Sequence, residues 1–127
     1  MCIRDSNKAD VGFGDYAPFE VGPEEFLNLI RGAEYVCTDS FHGSVFSMIY
    51  HKKLMIFKRY ADSSKTSKNS RIYSICENLG VTHRMFDGNN LNTITDEIDY
   101  DGVDSRIEKI RSESKAYLDK ALAFYWE

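Results

Sequence analysis

Most of what this chain of 127 residues lacks is chemistry-bearing pattern. No apolar run approaches the ~20 residues that a membrane-spanning helix requires. No charged, then apolar, then small-residue order at the N-terminus marks a signal peptide. Basic residues are in the minority, with 16 Lys and Arg against 20 Asp and Glu and a net charge of −4. That balance argues against non-specific nucleic-acid binding. The cysteines, Cys2, Cys37 and Cys76, are odd in number and form no CxxC pair. Cys37 falls in an apolar strand and Cys76 on a helix face, so both read as small buried hydrophobes in a reducing cytoplasm rather than as disulfide or zinc partners. His42, His51 and His83 show no metal-ligand spacing with cysteines or carboxylates, so no metal is expected. Gly12-Phe13-Gly14 is too short and isolated to be a nucleotide fingerprint. Nothing repeats internally. The length allows one domain and one core, and is too short for two Rossmann domains.

What is present is a good core and an alternating pattern. Hydrophobic residues make up 43% and aromatics 13%, enough to exclude a disordered chain. Residues 1–6, Met1-Cys2-Ile3-Arg4-Asp5-Ser6, resemble a translated adapter sequence and are set aside from fold reasoning. Residues 7–21 read as a loop or linker, with Gly12, Gly14 and Pro18 among charged and aromatic side chains. A helix starts at Pro23, where proline and the acidic Glu24 and Glu25 suit a helix N-terminus, and Gly32 ends it. A strand over 34–38 follows, then a turn, a helix over 44–50, and a buried strand over 54–57. Residues 58–71 form a long polar connection. A helix from Ser70 or Arg71 to Leu79 is closed by Gly80, and Arg84-Met85-Phe86 reads as a short strand. A turn is expected near Asp101-Gly102. Asp104 then caps a last helix whose Ile107, Ile110, Tyr117, Leu118, Ala121, Leu122 and Tyr125 make a docking stripe. Helices alternating with strands give an α/β class with a parallel sheet flanked by helices. Two to four strands are few, as in half of a two-domain enzyme whose N-terminal domain is missing. Residues 22–127 would be the C-terminal, Rossmann-like domain.

One segment carries chemistry. Thr38-Asp39-Ser40-Phe41-His42-Gly43-Ser44 lies between a strand and a helix, and ligands of open α/β sheets bind outside the carboxyl ends of strands. Free N–H groups of a helix start attract anions, so the amides of Gly43 and Ser44 are candidate donors to a small anionic ligand. The alternative is an ordinary turn in which Ser40 and Asp39 act as caps. Arg59 lies just past the second strand and Arg71 at the start of the next helix, so either could supply a cation. Ser40 and Ser44 have no visible base and orienter, which leaves hydrolase-type nucleophilic catalysis without support.

The Gly22-Pro23-Glu24-Glu25-Phe26-Leu27 block and the block Thr38-Asp39-Ser40-Phe41-His42-Gly43-Ser44-Val45-Phe46-Ser47 are followed by Phe57-Lys58-Arg59, Asn69-Ser70-Arg71-Ile72 and Leu79-Gly80. In this order they resemble the C-terminal part of the polysaccharide pyruvyl transferase family, over roughly residues 20–86. The resemblance implies a Rossmann-like half of a two-domain glycosyltransferase-B-type fold. It also implies transfer of a pyruvyl group from phosphoenolpyruvate to a sugar of a cell-surface polysaccharide or exopolysaccharide, with release of phosphate. Better-studied members carry Arg-Leu-His where this chain has Ser40-Phe41-His42. The histidine carries over to His42, as catalytic acid or base, and Ser40 stands in place of the arginine. Ser40, Gly43, Ser44, Arg59 and Arg71 are then the candidate substrate-binding residues. Phosphoenolpyruvate is the donor and a saccharide the acceptor, in the cytoplasm, and the fragment alone is expected to be inactive. The competing readings are a nucleotide-sugar glycosyltransferase of the same fold and a degenerate, non-catalytic binding fragment.

Overall fold

The computed structural model describes residues 21–58 and 69–126, with side chains as far as Phe124. Residues 1–20 and the 59–68 connection, and with them Arg59, lie outside the described residues. Helix α1 (Pro23–Gly32) begins with proline in its first turn and carries Glu24 and Glu25 there, as its sequence demands. Strand β1 (Tyr35–Thr38), helix α2 (Phe41–Ile49) and strand β2 (Lys53–Ile56) form a βαβ unit. The two strands pair in parallel, Val36 opposite Leu54 and Thr38 opposite Ile56. The Phe57 amide continues the ladder by donating to the Thr38 carbonyl at 2.8 Å.

Alternation along the strands sorts their side chains to two faces. Val36, Leu54 and Ile56 join Met48 of α2 in the main core. Ile72, Cys76 and Leu79 of α3 (Ser70–Leu79) reach the same cluster, as does Val103 of α4 (Tyr100–Trp126). Met55, one residue out of phase, is also fully buried. The result is a small two-stranded parallel sheet flanked by helices, in keeping with the α/β class expected from the alternation.

Three local expectations change. The strand expected at Arg84-Met85-Phe86 shrinks to one parallel bridge, Met85 beside Ile56, preceded by a 3₁₀ turn over Thr82–Arg84. The cause is Arg84, which turns inward, is 1% exposed and donates to the carbonyls of Thr93 and Asp96. The last helix starts at Tyr100, so Asp101 and Gly102 lie in its first turn rather than in a loop. Its N-terminal cap is Asp99, whose carboxylate accepts from the Gly102 amide at 3.1 Å. Asp104, expected to cap, instead pairs with His51 at 2.9 Å. Beyond Ile107 the stripe on α4 is left exposed among the described residues. Leu118 is 55% and Leu122 48% accessible.

Candidate functional site

The helix after β1 starts three residues before the expected Ser44, and this changes the local chemistry. Ser40 is its N-cap, with extended backbone, and its hydroxyl accepts from the Gly43 amide at 3.1 Å. The Ser44 amide donates to the Ser40 carbonyl at 3.0 Å, the first regular helical bond. His42 therefore occupies the first helical turn. The amides of Gly43 and Ser44, read from the sequence as donors for an anion, are engaged within the cap. Helix geometry leaves instead the Phe41 and His42 amides without an intrahelical partner.

The small residues of this turn have a packing reason. Gly43 is buried against the end of β1, and a Cβ there would stand 2.8 Å from Thr38 Oγ1 and 3.3 Å from Ser40 Cβ. Thr38 Oγ1 in turn accepts from the Ser40 amide at 3.0 Å. Ser44 and Ser47, both fully buried, donate their hydroxyls back to the carbonyls of Ser40 and Gly43 at 2.8 and 2.6 Å. Ser40, Gly43 and Ser44 thus form the frame that seats α2 on the strand end.

The outward-facing groups differ in character. His42 is exposed, and its ring meets the Phe41 ring edge-on, centroids 5.6 Å apart at 88°. The Arg71 guanidinium, from the first turn of α3, lies 5.3 Å from the centroid of that same Phe41 ring. One aromatic ring therefore gathers the histidine of α2 and the arginine of α3 at the carboxyl edge of the sheet. Just past β2, Lys58 places its ammonium 5.3 Å from the ring of Tyr73, also in the first turn of α3. Phe57 and Phe86 pack beneath, centroids 4.8 Å apart, holding the chain where it leaves β2. The first turn of α3 thus carries Arg71 on the ring that His42 also meets, and Tyr73 under the Lys58 ammonium.

The structure brings Ser40, His42, Gly43, Ser44 and Arg71 together, and Arg59 follows directly on the described Lys58. Sequence reasoning passed over Phe41, Lys58 and Tyr73. Lys58 was legible as the neighbour of Arg59, but the place of Phe41 between two elements was not. His51 and His83 lie elsewhere. His51 sits at φ 57°, stacks on Tyr100 at 4.5 Å and pairs with Asp104, fastening the α2–β2 turn to α4. No group of three His, Cys, Asp or Glu among the described residues is placed to hold a metal ion, and no described helix is long and apolar enough to cross a membrane.

A parallel βαβ unit flanked by helices, with an exposed histidine at the carboxyl edge of its sheet, defines the class as an α/β domain. The family model for polysaccharide pyruvyl transferase matches residues 4–59, the family that the Gly22–Leu27 and Thr38–Ser47 blocks resemble. The matched span begins inside the first hexapeptide, takes in α1, β1, the histidine turn and β2, and stops before Arg71. No curated protein and no solved structure matches the chain.

Proposed function

We propose that this chain is the donor-handling part of a polysaccharide pyruvyl transferase, which moves a pyruvyl group from phosphoenolpyruvate to hydroxyls of a saccharide. The observation that carries the reading is the convergence of exposed His42 and Arg71 on one ring at the carboxyl edge, within a chain whose residues 4–59 match that family. Phosphoenolpyruvate bears a phosphate and a carboxylate, which call for cations and oriented N–H groups. Arg71, Lys58 and the first amides of α2 are of that kind. Addition of an acceptor hydroxyl to the enol carbon requires a proton at the methylene carbon and a base for the hydroxyl. A histidine near neutral pH can serve in either step, and loss of phosphate lets a second hydroxyl close the ketal. The reaction needs no cofactor beyond its donor. The acceptor would be held largely by a further, N-terminal domain.

In the complete protein, His42→Ala should lower pyruvyl transfer by about 10²–10⁴-fold, as loss of a general acid or base does, with the fold intact. Ser40→Ala should cost far less activity, since its hydroxyl serves the helix cap. Measured phosphate release from phosphoenolpyruvate checks both. Unchanged turnover and donor affinity in His42→Ala would sink the assignment. Stabilisation in a thermal-shift titration by a nucleotide diphosphate sugar, and not by phosphoenolpyruvate, would point to glycosyl transfer instead.

A further inference from the structure

We infer that Phe41 is a positioning residue, whose ring draws Arg71 across from α3 and holds it beside His42, so that a cation reaches the donor edge where position 40 offers none. The inference rests on the donor reading above. Position 40 supplies no cation in this chain: the Ser40 side chain is only 9% exposed and closed into the cap with the Gly43 amide. The guanidinium that lies on the Phe41 ring comes from another helix, separated by the whole of β2 and the 59–68 connection. Arg71 is exposed, and at the start of α3 a long flexible side chain has many directions to take. A guanidinium within about 6 Å of an aromatic centroid is attracted by the ring quadrupole. The observed 5.3 Å satisfies that, and the same ring meets His42 in a T-shaped arrangement. Phe41 itself cannot wander, since it is half-buried and packs on the core cluster. The ring is thus a fixed platform between a mobile cation and the histidine. An aliphatic residue of similar bulk would fill the space without offering the attraction.

The test uses Phe41→Leu, which keeps apolar volume, and Phe41→Tyr, which keeps the ring face. In this chain, NMR should place the Arg71 side-chain protons in the ring current of Phe41. The upfield shift should vanish in Phe41→Leu and persist in Phe41→Tyr. In the complete protein, Phe41→Leu should raise KM for phosphoenolpyruvate about two- to fivefold, the size of an exposed cation–π contact, with kcat little changed and Phe41→Tyr close to the parent. Arg71→Ala should raise KM at least as much, and the double variant should be no worse than Arg71→Ala alone. Arg71 resonances unmoved in Phe41→Leu, or KM losses that simply add in the double variant, overturn the role of Phe41. An Arg71→Ala protein with unchanged phosphoenolpyruvate KM, its ring-current shift present in the parent, overturns the donor reading instead.

Discussion

At the scale of single residues, close approach and burial decide more than polarity does. Gly43 looks from the sequence like part of a ligand loop, yet the 2.8 Å separation between a hypothetical Cβ and Thr38 Oγ1 makes it a packing requirement. Gly43→Ala should therefore destabilise the chain by about 1–3 kcal/mol through forced displacement of α2 from the strand end, measured by urea unfolding. A change below about 0.5 kcal/mol would mean that the turn relaxes freely. Cys76 is fully buried, and burial, helped by the neighbouring Glu77, pushes its thiol up to about 11. Iodoacetamide at pH 8.5 should leave it unmodified until the chain unfolds. The sign of the linkage follows. The folded state keeps this proton to about pH 11 while the unfolded thiol releases it near 9.0, so stability falls as pH rises through that window. Rapid labelling of Cys76 under native conditions would contradict the burial.

At the scale of elements, α4 divides into two parts. Its first turns belong to the fold: Val103 is in the core, and the half-buried Tyr100 hydroxyl donates to the Lys52 carbonyl. Burial holds that phenol well above its usual range. Past Ile107 the helix carries internal pairs, Arg111 with Glu108 and Lys115 with Asp119, and exposes its apolar stripe. Leu118→Ala should consequently change the unfolding free energy of this chain by no more than about 0.5 kcal/mol. Leu79→Ala, at a position 2% exposed, should cost about 2–5 kcal/mol. Equal losses at the two positions would show that the stripe is covered in solution. The helix was legible from its period, but what covers it was not, because periodicity marks an apolar face without naming its partner. The Arg84 segment taught the converse. Its apolar neighbours Met85 and Phe86 suggested a strand, and the buried guanidinium bonding Thr93 and Asp96 overrode that propensity.

At the scale of the whole molecule, the candidate site occupies one edge of a small sheet. His42 and Arg71 are both exposed there. The proposed pyruvyl transfer needs water excluded and two hydroxyls positioned, which one exposed edge does not provide. The 127-residue chain alone should release no phosphate from phosphoenolpyruvate with any saccharide, while the complete protein should. A colorimetric phosphate assay on both decides, and turnover by the chain alone would place the whole active site within it.

Much was determined by local sequence. Pro23 with Glu24 and Glu25 starts α1, Gly80 at φ 72° ends α3, and the apolar runs around Val36 and Leu54 mark two buried parallel strands. These signals act through backbone geometry and period, which neighbouring residues carry by themselves. The strand–histidine–helix order was legible for the same reason. Tertiary structure alone decided which atoms of that turn face outward. Ser40 had to cap, Gly43 had to admit Thr38, and Ser44 had to bury its hydroxyl, because α2 lies against the end of β1. It also decided that Arg71, 29 positions from His42 along the chain, shares a ring with it. That contact spans two helices and depends on how both pack on the sheet, a relation that no local pattern of residues encodes.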